Sequence, residues 1–182
     1  MPRGLKETSS QIVVSFSLTE TAPNTLTSER IDLQLNALDQ EVFVVTGMKL
    51  DLDTPDLVLG GVGTARTAVF ASVSKQSLAN ATDLTLGNPS IIGTAQIITR
   101  EIVDNYGGAE ASGYATSIIE DGTDTPATLE YIDVIATPDF FVNINGSSNI
   151  AAKSCSGKLY GYRARADAAT YAALVQSELL SS

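Results

Sequence analysis

The chain has 182 residues and a net charge of −10, with 43% hydrophobic and 18% charged residues, so it is long enough to bury one core without staples and too apolar for a disordered tail. It contains no histidine, no tryptophan and a single cysteine, which removes histidine acid/base chemistry, histidine metal ligation, zinc clusters and an internal disulfide framework. An acidic surface repels phosphate, so a general nucleic-acid binder is disfavoured.

Residues 1–10 carry Arg3 and Lys6 and no apolar stretch, and they read as a flexible arm without the h-region of a signal peptide. One domain is expected over 11–182, with no apolar run long enough to cross a bilayer. From Ile12 the period is two: Ile12, Val14, Phe16 and Leu18 fall on one face, and Val13, Ser15 and Ser17 on the other, predicting a strand. After the turn-rich TETAPNTLTSE, Ile31, Leu33 and Leu35 alternate with Asp32, Gln34 and Asn36, a second strand with one wet face. EVFVVTGMKLDLD begins as an unbroken β-branched and aromatic run, then alternates Met48, Leu50 and Leu52 with Lys49, Asp51 and Asp53. That pattern predicts a strand buried on both faces first and on one face later.

Proline and glycines make TPDLVLGGVGTA a loop, and TARTAVFASVSK alternates again. SLANATDLTLGNPS has no clear period. TAQIITREIVDN and SGYATSIIED, separated by YGGAEA, predict two strands that pair as a hairpin or across sheets. LEYIDVIATPDFFVNINGS is strand-like with a break at Pro138, and KLYGYRARA is a last strand with Tyr160 and Tyr162 on one face. Asp167 suits the N-cap of a helix over about 167–180, with Ala168, Tyr171, Ala172, Val175 and Leu179 on one face and Leu174 and Leu180 off it. A helix apolar on more than one side suits either a place between two subunits or a frayed position at the surface. The whole predicts an all-β fold, an antiparallel eight-stranded jelly-roll-type sandwich ending in a short C-terminal helix.

Gly60, Gly61 and Gly63 look like part of a phosphate-cradling loop, but such a loop leads into a helix and here a strand follows, so a turn is the better reading. Asp51, Asp53 and Asp56 are weak calcium candidates, as are Asp121 and Asp124; without the closing glutamate of an EF-hand loop, solvated strand ends are the plainer reading. Paired acids also serve glycosidases, yet 6% aromatic residues and no tryptophan leave little platform for a sugar, and no enzyme is expected. Cys155 lies near Lys153 and Lys158, which favour a thiolate, but no histidine base exists and the residue reads as packing. Lys153, Lys158, Arg163 and Arg165 gather cations near the C-terminus. They form either a basic edge meeting an acidic face of the next copy or an edge strand guarded against aggregation. No cofactor is expected.

The stretches LDQEVFVVTGMKLDLDTPD and GYRARADAATYAALVQSELL, in an acidic chain of serine, threonine and small apolar residues, resemble single jelly-roll coat proteins of tailless icosahedral viruses of bacteria or archaea. The likeness is strongest over 38–75 and 157–180. It implies a structural capsid subunit of the virion, made in the host cytoplasm. Copies of the chain would form pentamers or hexamers in a shell, in some cases over an internal membrane or beside other virion proteins, without catalytic residues. The chain departs from coat proteins that package nucleic acid by lacking a strongly basic arm, which disfavours direct genome contact. Assembly contacts are expected at Arg3 and Lys6, at Lys158, Arg163 and Arg165, and at Tyr171, Leu174 and Leu179. The alternatives are a non-catalytic sugar- or calcium-binding β-sandwich module and a phage tail-tube, decoration or surface-layer subunit.

Overall fold

The computed structural model describes residues 4–57, 66–106, 109–123 and 129–180, with the backbone alone for 103–106 and 109–112. Ten strands and one α-helix follow in order: β1 (Leu5–Glu7), β2 (Ile12–Thr19), β3 (Thr27–Asp32), β4 (Glu41–Leu52), β5 (Arg66–Ser74), β6 (Ile91–Tyr106), β7 (Ala109–Asp121), β8 (Asp133–Ile135), β9 (Asp139–Ser147), β10 (Ser154–Ala166) and α1 (Ala168–Leu180). They build two antiparallel five-stranded sheets packed as a sandwich. In the first, β1 and β2 share one side of β10, followed by β4 and β8; the second runs β3-β9-β5-β6-β7.

The ladders are nested: β2 pairs with β10, β3 with β9, β4 with β8 and β5 with β6. This is one long hairpin folded over on itself, and the folding then joins β10 to β4 and β9 to β5. Such nesting is the jelly-roll order. β1 and β7 are additions at its margins.

The core lies between the sheets. Phe16 and Leu18 of β2, Phe43, Val45, Met48 and Leu50 of β4 and Leu159 of β10 meet Val69, Ala71 and Val73 of β5 and Phe140, Val142 and Ile144 of β9. Phe16 and Phe140 stand edge to face with centroids 6.0 Å apart, a favoured aromatic geometry across the sandwich. β4 carries a bulge: Tyr160 pairs with Gly47 but Gly161 with Val45, leaving Thr46 as the extra residue. The bulge turns both Val45 and Met48 inward although three positions separate them. Val42 and Val44 point out of the sandwich and are still fully buried, because α1 covers them together with Val134, Ala136, Ala164 and Ala166. The change along β4 from burial on both faces to burial on one is therefore the edge of the helix's shadow.

Glycine matters where β10 crosses under two rings. A Cβ on Gly157 would come 2.7 Å from Phe16 Cζ, and one on Gly161 would come 2.5 Å from Phe43 Cε1 and collide with the Val44 carbonyl. Gly161→Ala is expected to lower stability by about 1–3 kcal/mol through overpacking. The measurement is a lower urea midpoint at unchanged m-value.

Several elements differ from expectation. Leu5–Glu7 is a strand, not arm: β2 covers β10 only as far as Gly161, and β1 takes the edge that remains, from Leu5 opposite Ala166 to Glu7 opposite Ala164. β10 is not an edge strand, since it is hydrogen-bonded on both sides. β3 ends at Asp32, before the predicted alternation does, because Gln34 takes a left-handed φ of 53° and turns the chain; Leu33 is buried just outside the strand. The aperiodic segment after β5 is a loop with a 3-10 turn at Ala81–Asp83, and its Leu78 and Leu84 pack with Ile91 against Phe70 on the outer side of the second sheet.

Candidate functional site

Polar side chains converge where the loops after β2, β4 and β9 meet. Glu20 is 4% exposed and accepts the amides of Gly146 (2.5 Å), Lys153 (2.9 Å) and Thr25 (3.2 Å). Asn149 donates Nδ2 to the Ala68 carbonyl (2.8 Å), accepts the Asp56 amide on Oδ1 (3.0 Å) and gives its own amide to Asn24 Oδ1 (2.7 Å). The buried Lys153 ammonium donates to Asp56 Oδ1 at 2.5 Å, while Asp56 Oδ2 accepts the amides of Ile150 (2.8 Å) and Ala151 (3.0 Å). The Lys153 hydrogen bond, followed by these amides, lowers the Asp56 pKa from 3.8 to about 2. Acid, cation and amide stand together as they do in many active sites, but their polar atoms are engaged with one another. The cluster lashes three loops together.

Two of the three calcium candidates already have partners within the protein. An ammonium occupies the space beside Asp56 that a cation would need, Asp53 Oδ2 takes the Ser154 amide at 2.8 Å, and Asp51 lies exposed on the outer face of β4. Among the described residues no group of three metal-ligating side chains is placed to hold an ion. Asp121 is exposed at the end of β7; Asp124, Gly60, Gly61, Gly63 and Arg3 lie outside the described residues. Cys155 is 2% exposed, and burial pushes its thiol up to about 12, which leaves it an inert packing group.

The cations do not form one basic edge. Arg163 is spent within the subunit, donating to the Leu33 carbonyl at 2.9 Å with Glu41 at 3.6 Å. Arg165 is exposed, next to Lys6 across the β1 ladder, and lines a small cleft with Asn36, Asp39 and Glu41. Lys158 lies seven residues back along β10, about 23 Å away at strand rise.

The apolar residues of α1 are divided between the sheet and the surface. Asp167 is the N-cap, with Oδ1 accepting the Thr170 amide at 2.8 Å. Tyr171, Leu174 and Val175 pack on the subunit's own sheet, while Leu179 is 63% exposed. The last contact of that stripe is Glu178, 3% exposed, which accepts the amides of Ala136 (2.7 Å) and Thr137 (2.9 Å); its carbonyl accepts the Gln76 side chain. Sequence reasoning missed Glu178 because an acid reads as solvent-facing, although 171, 174, 175 and 178 share one helical stripe. Glu178→Ala is expected to free α1, at about 2–4 kcal/mol for two orphaned amides, with faster hydrogen exchange at Ala136 and Thr137. Burial raises the Glu178 pKa, so the stability linked to its protonation is fully present at low pH and is lost as pH rises through the raised value. Docking of α1 should tighten on acidification.

Among the described residues, two exposed parts of the sheets stand out. In β7 every residue over 113–121 is exposed, with Ile118 at 67% and Ile119 at 41% on opposite faces. Among the described residues β7 pairs only with β6, and the β5 ladder is described as far as Arg66 opposite Arg100. The second surface is the part of the first sheet's outer face that α1 does not reach. There Lys158 stands directly between Ser15 and Lys49, and Tyr160 between Val13 and Gly47. Ser15, Asp51, Ser156, Tyr160 and the two lysines line a shallow cavity of about 390 Å³. No family model matches the chain, and no curated protein does.

Proposed function

We propose that the chain is a non-catalytic structural subunit that assembles in many copies, a jelly-roll capsid protein of a virion whose principal partner is itself. The observation that carries this reading is β7. Among the described residues it pairs on one side only and exposes isoleucine on both faces, and residues 113–121 contain no lysine or proline, their charges being Glu120 and Asp121 at the end. A protein that works alone blunts such an edge with lysine, proline or a covering segment, whereas an assembling one covers it with a neighbour. The likeness of residues 38–75 and 157–180 to single jelly-roll coat proteins points the same way. So does the polar cluster, whose hydrogen bonds hold three loops in place.

Mass photometry across a concentration series, with negative-stain electron microscopy of the same samples, tests the reading. Five- or six-fold rings or closed shells are expected. Tubes would favour a tail-tube subunit of the same chemistry and different symmetry. A monomer that persists at high concentration would defeat the assembly reading, and a search for ligands that raise the melting temperature would follow.

A further inference from the structure

We infer that β7 of one copy docks on the Lys49/Lys158 face of the next copy, in a head-to-tail contact; the inference deepens the many-copy reading above and rests on it. Lys49 and Lys158 are directly opposite each other in the β4/β10 ladder, an arrangement in which like charges disfavour the sheet. The chain has 21 acids against 11 bases, yet neither lysine forms an ion pair among the described residues, and Asp51 is the one acid lining their cavity. Two exposed lysines with a single acid beside them, in an acidic chain, are complementary to an acid from outside. A second copy, itself at −10, supplies acids next to the apolar residues it leaves exposed.

The two surfaces match in spacing. On the receiving face the apolar pair Val13 and Tyr160 lies one two-residue step along the strand from Lys158 and Lys49. On one face of β7, Ile118 lies one two-residue step from Glu120, with Tyr114 further along the same face. Both steps are about 6.8 Å, so seating Ile118 on Val13 and Tyr160 brings Glu120 over the lysines. Asp121, the next residue, points to the opposite face of β7 and adds to the negative field at that end. Because β7 is the margin of the second sheet and the lysines are on the outer side of the first, the contact is heterologous. Each copy keeps one β7 and one lysine face to offer, which propagates around a ring or across a lattice.

The test uses two full-length double variants, Lys49→Glu with Lys158→Glu, and Glu120→Lys with Asp121→Lys. Each alone sets like charges against each other and is expected to remain dissociated in mass photometry, with wild-type circular dichroism. Mixed in equal amounts they are expected to assemble, since the acidic β7 of the first meets the lysines of the second, and the reverse. Wild-type association is expected to weaken about tenfold or more between about 0.05 and 0.5 M salt. Wild-type assembly by either variant alone, or a mixture that stays apart, would overturn this contact while leaving the many-copy reading standing, and edge-to-edge pairing of two β7 strands would then be the contact to examine. A wild-type chain that never associates would overturn both.

Discussion

Glu20→Ala is expected to destabilise the protein by about 3–5 kcal/mol, more than any other single change at the polar cluster apart from loss of Asp56. The alanine leaves the amides of Gly146 and Lys153 buried with no acceptor and that of Thr25 without its side-chain partner, and each buried orphan amide costs about 1–3 kcal/mol. The site cannot collapse to compensate. A Cβ on Gly146 would already lie 3.1 Å from both Glu20 oxygens, so the strand end and the carboxylate are in contact only because that position is glycine. For a domain of this size the melting temperature should fall by about 10 °C. Glu20→Gln keeps one acceptor and turns an amide NH₂ toward a backbone N–H, so it should lie between alanine and wild type. Equal stability of all three forms would show that the loops hold one another without the carboxylate.

Asp56→Ala should be comparably severe, because it strands the Lys153 ammonium, 7% exposed, without a counter-charge. Breaking a buried pair from one side costs about 3–5 kcal/mol, whereas replacing both partners by apolar groups is often nearly neutral. The double variant Asp56→Ala with Lys153→Met should therefore recover much of the loss, a result that urea unfolding of the four-member cycle measures. The same pair predicts an acid limb in the stability profile. The Asp56 carboxyl is depressed from 3.8 to about 2, so its contribution is complete above the unfolded value and is lost as pH falls from 3.8 toward about 2. The loss amounts to about 1–2 kcal/mol, allowing for solvent screening of a side chain 26% exposed. It should vanish in the double variant. Glu178 works in the opposite direction over a higher range, so stability is expected to pass through a maximum on the acidic side of neutrality before the Asp56 limb begins.

The all-β class, most of the strands and the terminal helix were legible because alternation and capping are local, whereas β1 was read as arm and β3 was placed late. Ile12 to Leu18 and Met48 to Leu52 each carry their inward face in their own spacing, and Asp167 carries its helix start. Even the double burial at the start of β4 was visible, as a run of apolar residues with no polar alternates. Period says which face of a strand is wet, and nothing about which strand lies beside it. The nesting of ladders, the central place of β10 and the opposition of Lys49 and Lys158 therefore waited on the tertiary structure.

The same limit explains the charged residues. Lys153 reads as part of a basic patch and Asp56 as part of an acidic loop, yet they are one partly buried pair across 97 positions of chain, and Glu20 reaches the Lys153 amide across 133. Burying an acid is favourable only when donors arrive from elsewhere in the fold, and a linear sequence does not display that arrival. Local periodicity determined what the elements are; long-range pairing of backbone edges and buried charges decided how they are joined and which surfaces are left for a neighbour.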